Sequence, residues 1–266
     1  MLDTVVASRF IKRMEHGRNS PLLLEVERAS GDFVEVVTKF DGAECGPGGL
    51  AREAFVAMLA TDLGLPVPEC FVVDIPSNFL ETVPMHEAIA RSLIAQSGQQ
   101  AFGSAHHLGW HLYPAGHPLP ASLVEQATEV LAFDGICLNP DRRPEKQNCL
   151  FSGSELMIID HELALIHASV GSFLCPYPWA VGGMGQFAPG PGEHLFYRGT
   201  CGKSSGANRL EAAFGSYGHA RMSEYQLAIP AAWDQAGKLC SGMCDYLKLA
   251  CSNAAGSFIE VRRLLA

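Results

Sequence analysis

The sequence predicts an α+β fold in two parts, a small β-rich lobe over residues 1–78 and a larger, mainly helical lobe over residues 79–266. Three observations predict it. Residues 1–40 alternate apolar and polar side chains as strands do. Most of the second half carries helical periodicity. Between its helical stretches lie a polar loop and two short apolar runs joined by Ser152-Gly153-Ser154, the composition of a hairpin.

The elements follow in order. Leu22–Val26 and Phe33–Val37 are β-rich runs separated by Ala29-Ser30-Gly31-Asp32, a turn composition, so they predict a hairpin. Residues 50–63 predict a helix, with Phe55, Met58, Leu59 and Leu63 on one face and Gly64 then Pro66 as its stop. Cys70–Ile75 predicts a further strand ended by Pro76. Residues 76–120 mix Pro, Gly and His and give no clear element. Leu123, Ala127, Val130, Leu131 and Asp134 define a second amphipathic helix. The polar loop Asn139–Gln147 leads into strands around Cys149–Phe151 and Leu156–Ile159. Residues 171–206 are rich in Gly and Pro and predict a long ordered loop on the acceptor or partner side. The remainder is helical, with Ala236, Leu239, Cys240, Met243, Leu247 and Ala250 on one apolar face.

Composition narrows the function classes. A net charge of −9 disfavours nonspecific nucleic-acid binding, because phosphates reward basic surfaces. No uncharged run of 18 apolar residues predicts a membrane span, and MLDTVVASRFIKRM lacks the basic-then-apolar order of a secretory signal. Nine scattered cysteines, an odd number, predict free thiols in a reducing compartment, hence a cytoplasmic protein. Charged residues make up 18% of the chain, a low share that suggests a surface covered by a partner.

The chemistry concentrates in Asn139–Leu150 and Ile158–Glu162. A polar loop carries Asp141 and then Asn148, which enters a strand; the hairpin returns, and Asp160 closes the next strand. This is how a kinase-type site is assembled. Moving a phosphoryl group from ATP needs a divalent metal between the phosphates and hard oxygen ligands to hold it. An Asp and an Asn at the mouths of adjacent antiparallel strands can share that ion, and a carboxylate in the preceding loop can orient the acceptor hydroxyl. A carboxylate ending an apolar strand, as Asp160 does, is poorly explained by packing.

An ordered set of pieces resembles the HipA-like kinases, particularly the compact HipA-like domain, and more distantly the type II phosphatidylinositol 4-kinases. The pieces are Gly17-Arg18-Asn19-Ser20-Pro21, Val36–Phe40, Glu53, Leu63–Pro68, Phe102-Gly103-Ser104, Phe133-Asp134, Asn139-Pro140-Asp141-Arg142, Asn148 and Ile159-Asp160-His161. They cover roughly the first 165 residues; the last hundred match nothing. The resemblance implies a protein-kinase-like bilobal fold with ATP between the lobes and Mg2+ as cofactor. It implies that Lys39 contacts the phosphates and pairs with Glu53, and that Val73 to Ser77, including Ile75, forms the hinge reached by adenine. Asp141 becomes the catalytic Asp, with Asn148 and Asp160 as metal ligands. The implied acceptor is a Ser/Thr hydroxyl of a protein, and the implied partner an antitoxin, since the group includes toxins of toxin–antitoxin systems.

Two departures stand out. Six residues separate Asp141 from Asn148 where eukaryotic protein kinases have four, and Pro144 marks a small insertion. Asp160 is followed by His161-Glu162, so the eukaryotic activation-switch motif is absent.

Each residue taken alone has a plainer reading: Lys39 as a strand-end surface lysine, Glu53 as a solvated helix residue, Asp141 and Asn148 as turn formers. Gly17 to Ser20 either cradles phosphates through N–H groups and the Ser20 hydroxyl or forms a plain β-turn. His161-Glu162 fails as a zinc-protease helix because Leu165 stands where a second His is needed. Gly202-Lys203-Ser204 fails as a phosphate loop because Tyr197 stands where a Gly is required. Cys240 and Cys244 lack further ligands at zinc spacing and read as packing. His106, His107, His111 and His117 form a histidine-rich surface loop. Two other functions use the same core residues: a small-molecule or lipid kinase, and a noncatalytic nucleotide-binding partner module.

Overall fold

The computed structural model describes residues 2–15, 17–166, 176–234 and 237–266, the side chain of His219 apart. Strands dominate the N-terminal part and helices the C-terminal part, so the α+β class holds. The chain divides into two compact units. The first takes Met1–Met58, Pro68–Leu108 and Glu224–Cys240; the second takes Leu59–Val67, Gly109–Ser223 and Ser241–Ala266. The boundary expected at residue 78 therefore falls inside the first unit.

In the first unit, strands β1 (Asp3–Arg13), β2 (Leu22–Glu27), β3 (Phe33–Lys39), β4 (Cys70–Asp74) and β5 (Gln100–Ala105) close into a barrel of order β1-β2-β3-β5-β4. All neighbours are antiparallel except β1 and β4, whose parallel pairing closes the ring. In β1 the buried residues run Val5, Ala7 and then Phe10, a change of phase. Register shifts between Ala7 and Arg9 and between Phe10 and Lys12 account for it, because a bulge turns the following side chains to the other face. The β2–β3 turn closes through Arg28 N–H to Asp32 O (2.9 Å), with Gly31 at φ 87°. Helix α1 (Gly46–Asp62) starts four residues before the expected position. Its Ala54, Phe55, Val56, Ala57, Met58 and Leu59 are all buried, so it is enclosed on nearly every side rather than along one stripe.

Residues 76–120 are more ordered than their composition suggests: helix α2 (Ala88–Gln96) and strand β5 lie there. Gly103 explains why β5 is hard to see in the sequence. A Cβ at this position would meet Val73 Cγ2 at 2.6 Å and Val36 Cβ at 3.5 Å, so only glycine lets β5 sit beside its neighbours. Gly103→Ala is expected to destabilise the protein by about 1–3 kcal/mol in urea denaturation; a loss under about 0.5 kcal/mol would show slack at this contact.

The second unit contains β6 (His111–Leu112), α3 (Val124–Ile136), β7 (Cys149–Ser152) and β8 (Glu155–Ile158), then α4 (Tyr197–Thr200), α5 (Asn208–Gly215), α6 (His219–Ala228), α7 (Lys238–Ser252) and α8 (Ala254–Leu265). α6 and α7 each run across a unit boundary, as α1 does between Met58 and Leu59. β6, β7 and β8 form a three-stranded antiparallel sheet. α3 is buried from Ala127 to Ile136, including Glu129 and Asp134. Of the Gly/Pro-rich segment 171–206, residues 171–175 lie outside the described residues. The rest is anchored by buried Met184, Phe187 and Phe196, with exposed stretches such as that at Val181. On α7 the expected apolar face holds at Cys240, Met243, Leu247 and Ala250, which are buried; Ala236 lies outside the described residues. Among the described residues no helix is long and apolar enough to cross a membrane.

Candidate active site

In the first unit the structure joins the expected lysine and glutamate. Lys39 ends β3, Glu53 faces it from α1, and Lys39 Nζ donates to Glu53 Oε2 at 2.9 Å. Their side chains are 13% and 5% exposed, which separates this pair from a solvated surface bridge. Ser20 sits in the turn between β1 and β2. Its N–H donates to Gly17 O (3.1 Å), so that amide closes the turn. The turn is pinned from outside: Arg18 forms a bidentate ion pair with Glu44, and Cys45 N–H donates to Asn19 Oδ1 at 3.0 Å. With α2 the turn lines a cavity of about 460 Å³ to which Arg18, Asn19, Ser20, Glu44, Ser92 and Gln96 contribute.

Val73 lies on β4 and Ile75 just beyond its end. Both side chains belong to the barrel's apolar interior, at 0% and 9% exposure. Val73 is paired on both sides, with Val5 of β1 and Ala101 of β5, and the Ile75 N–H donates to Gln99 O at 2.8 Å. The resemblance places these residues by their order in the chain, and the strand pairing around them is visible only in the fold.

In the second unit the three expected residues of the loop and hairpin come together. Asn148 Nδ2 donates to Asp141 Oδ2 at 3.0 Å, which turns Asn148 Oδ1 away as an acceptor. Lys146 Nζ donates to the same Asp141 oxygen and lies 3.7 Å from Asp160 Oδ2. The long spacing from Asp141 to Asn148 is taken up by a tight turn. Arg143 and Lys146 exchange both backbone hydrogen bonds at 3.0 Å, with Pro144 and Glu145 between them. Pro144 supplies the φ that such a turn needs at its second position.

Asn148 (φ 43°) and Asp160 (φ 61°) both adopt left-handed backbone, as does Ser20 (φ 48°). Such residues cost on the order of 1 kcal/mol or more and persist where the surroundings fix them. The fixing agent in the second unit is Arg142, which is fully buried. Its Nη1 donates to the carbonyls of Asn148 and of Ile159, the latter at 3.2 Å. One guanidinium thus holds the backbone at Asn148 and immediately before Asp160.

Arg142 is held in turn by Asp134 of α3. Nε donates to Oδ2 at 2.6 Å and Nη2 to Oδ1 at 3.3 Å. Asn139 Nδ2 donates to Asp134 Oδ1 at 2.9 Å, while its Oδ1 accepts the Asp141 N–H at 3.2 Å. His194 completes the set. The Phe196 N–H donates to its Nδ1 at 3.2 Å, so the ring proton sits on Nε2 and is given to Asp134 Oδ2 at 2.9 Å. Burial pushes the Asp134 carboxyl up, but the Arg142 charge and the His194 hydrogen bond outweigh it and hold Asp134 well below the carboxylate range. Burial lowers His194, which is therefore a neutral donor.

Lys146, Asp134, Arg142 and His194 carry no role in the sequence reading. Lys146 and Arg142 stand inside the quoted loop, and Asp134 in a quoted pair, yet composition gives none of them a task. No local signal points to His194, sixty residues from its partner. The donor set fits a divalent cation. Asp141, Asn148 and Asp160 offer hard oxygens, and a positive charge, the Lys146 ammonium, is already seated against both carboxylates. Burial opposes the Lys146 charge, but its hydrogen bond to Asp141 and the nearby carboxylates Asp160 and Glu162 raise its pKa above the ordinary lysine value.

A comparison with curated proteins finds no match. The sequence profile described as HipA-like kinase matches residues 7–173, more than half the chain, and this span contains Lys39, Glu53, Asp141, Asn148 and Asp160. The more distant likeness to type II phosphatidylinositol 4-kinases gains no support from it. With the match running from β1 past the loop that carries Asp141 and the strand that leads to Asp160, the chain belongs to the HipA-like kinase family.

Proposed function

We propose that the protein is an ATP- and Mg2+-dependent kinase of bilobal, protein-kinase-like fold that phosphorylates a Ser/Thr hydroxyl of a protein. One observation carries this reading: Asp141 and Asp160, nineteen positions apart in the chain, share one ammonium in the second unit, and Asn148 donates to the same Asp141 carboxylate. Family membership supports phosphoryl transfer as the chemistry.

Lys39, steadied by Glu53, holds the phosphates, and the Ser20 turn borders them. Asn148 and Asp160 hold Mg2+, which when bound neutralises phosphate charge. Asp141 orients the acceptor. As the acceptor oxygen bonds to the γ-phosphorus, its proton passes to the Asp141 carboxylate. The bond from that phosphorus to the β,γ-bridging oxygen breaks, and its electron pair leaves with ADP. No binding module needs a buried lysine–glutamate pair together with this acidic set. The eight described cysteines are all free thiols, which fits a reducing cytoplasm. The partner we assign is a protein substrate or a cognate antitoxin.

Incubation with γ-labelled ATP and Mg2+ in a cell lysate tests the reading. A labelled protein that loses its label when Asp160→Asn replaces the wild type is the expected result. A wild type that binds no nucleotide ends the kinase reading. Binding without transfer to itself or to any lysate component leaves only a nucleotide-binding module.

A further inference from the structure

The tight turn that lengthens the catalytic loop has one product, the placement of Lys146. Its reciprocal backbone bonds to Arg143 bring the ammonium back over Asp141 and towards Asp160. The side chain remains 33% exposed, unlike the fully enclosed Arg142. Arg142 is locked by four acceptors, namely both oxygens of Asp134 and two carbonyls. Lys146 has a flexible four-carbon stem, a half-open setting and two carboxylate partners. One group is built to stay and the other is free to move.

Its present position is incompatible with the chemistry proposed above. Asp141 Oδ2 is occupied by the Lys146 ammonium and by Asn148 Nδ2, so an acceptor hydroxyl has no place to donate to that oxygen until the ammonium moves. Asp160 cannot bind a divalent cation closely with a like charge 3.7 Å away. Glu162 adds further negative potential at Lys146. A divalent ion matches clustered carboxylate charge better than one ammonium does. The charge it displaces would then face the phosphoryl oxygens, where negative charge collects during transfer.

Resting on the kinase reading, we infer that Lys146 is the resident counter-ion of the site: it neutralises Asp141 and Asp160 until a divalent cation replaces it, and then contacts the phosphoryl group in flight. A static salt bridge would do neither. It would hold the loop together, and its removal would weaken metal binding along with everything else.

The test uses Lys146→Met, which keeps the stem and removes the charge, with Lys146→Arg as the charge-retaining companion. Mn2+ binding is measured by calorimetry on the full chain without nucleotide, and phosphoryl transfer at saturating Mg2+-ATP. Lys146→Met is expected to bind Mn2+ on the order of tenfold more tightly, because a competing positive charge is gone. Its transfer rate is expected to fall roughly a hundredfold, the loss typical of one electrostatic donor. Lys146→Arg should recover part of the rate while binding Mn2+ no more tightly than wild type. Unchanged or weaker Mn2+ binding in Lys146→Met overturns the counter-ion role, and an unchanged rate overturns the phosphate role. A wild type that transfers no phosphate from ATP ends the kinase reading itself, and the Mn2+ measurement still decides whether Lys146 competes with a cation.

Discussion

Asp160→Asn is expected to lower phosphoryl transfer on the order of a thousandfold or more while the fold stays intact. A lost metal ligand removes several kcal/mol of charge stabilisation, and each 1.36 kcal/mol is about a factor of ten in rate. Asparagine is the informative substitution because Asp160 sits at φ 61°. Asparagine tolerates left-handed backbone nearly as well as aspartate, whereas alanine adds a strain of about 1–2 kcal/mol unrelated to metal. Asp160→Ala should therefore lose both activity and some thermal stability, and Asp160→Asn activity alone. Turnover of γ-labelled ATP and melting curves of both variants check this. Asp160→Asn within tenfold of wild type would remove Asp160 from the metal site.

The second large effect falls on stability. Asp134→Ala is expected to destabilise the protein by roughly 3–5 kcal/mol, since it leaves the Arg142 charge buried without a partner. Against a typical total of about 5–15 kcal/mol, that loss endangers folding at ordinary temperature. Both Asp134 and Arg142 side chains are 0% exposed, so water cannot step in. Removing both charges in Asp134→Leu/Arg142→Met should recover part of the stability, because no charge is then stranded. It should not recover activity, because the carbonyls of Asn148 and Ile159 lose the guanidinium that fixes the residues around them. Urea denaturation and turnover of the single and double variants measure the two consequences separately. Equal stability of Asp134→Ala and wild type would contradict the burial of this pair.

Much of the fold is legible along the chain. The β2–β3 hairpin, α1, α3 and the β7–β8 hairpin announce themselves through period and turn residues. Where the reading failed, a physical cause is visible. β5 is short and carries a glycine that its neighbours Val73 and Val36 demand, so its β signal is weak. α2 follows Pro84 with no side-chain cap, so its start has no marker. α1 displays one apolar stripe to the eye but is buried nearly all round, since its alanines count little in a pattern and much in a close-packed interior. The adenine-side role of Val73 and Ile75 rests on the family resemblance, while the barrel uses both side chains in its core.

The chain alone carries the β2–β3 and β7–β8 hairpins, α1, α3, the likeness to the HipA-like kinases, and Lys39, Glu53, Asp141, Asn148 and Asp160 as candidates. Those depend on short-range period, turn chemistry and polar residues that packing does not explain. Only the tertiary structure decided that the extra residues before Asn148 fold into a turn that delivers Lys146. Only it decided that Asp134, Arg142 and His194 lock the loop from within. These are pairings of charge and hydrogen-bond geometry between distant positions, and a pairing sixty residues long leaves no period in the chain to read.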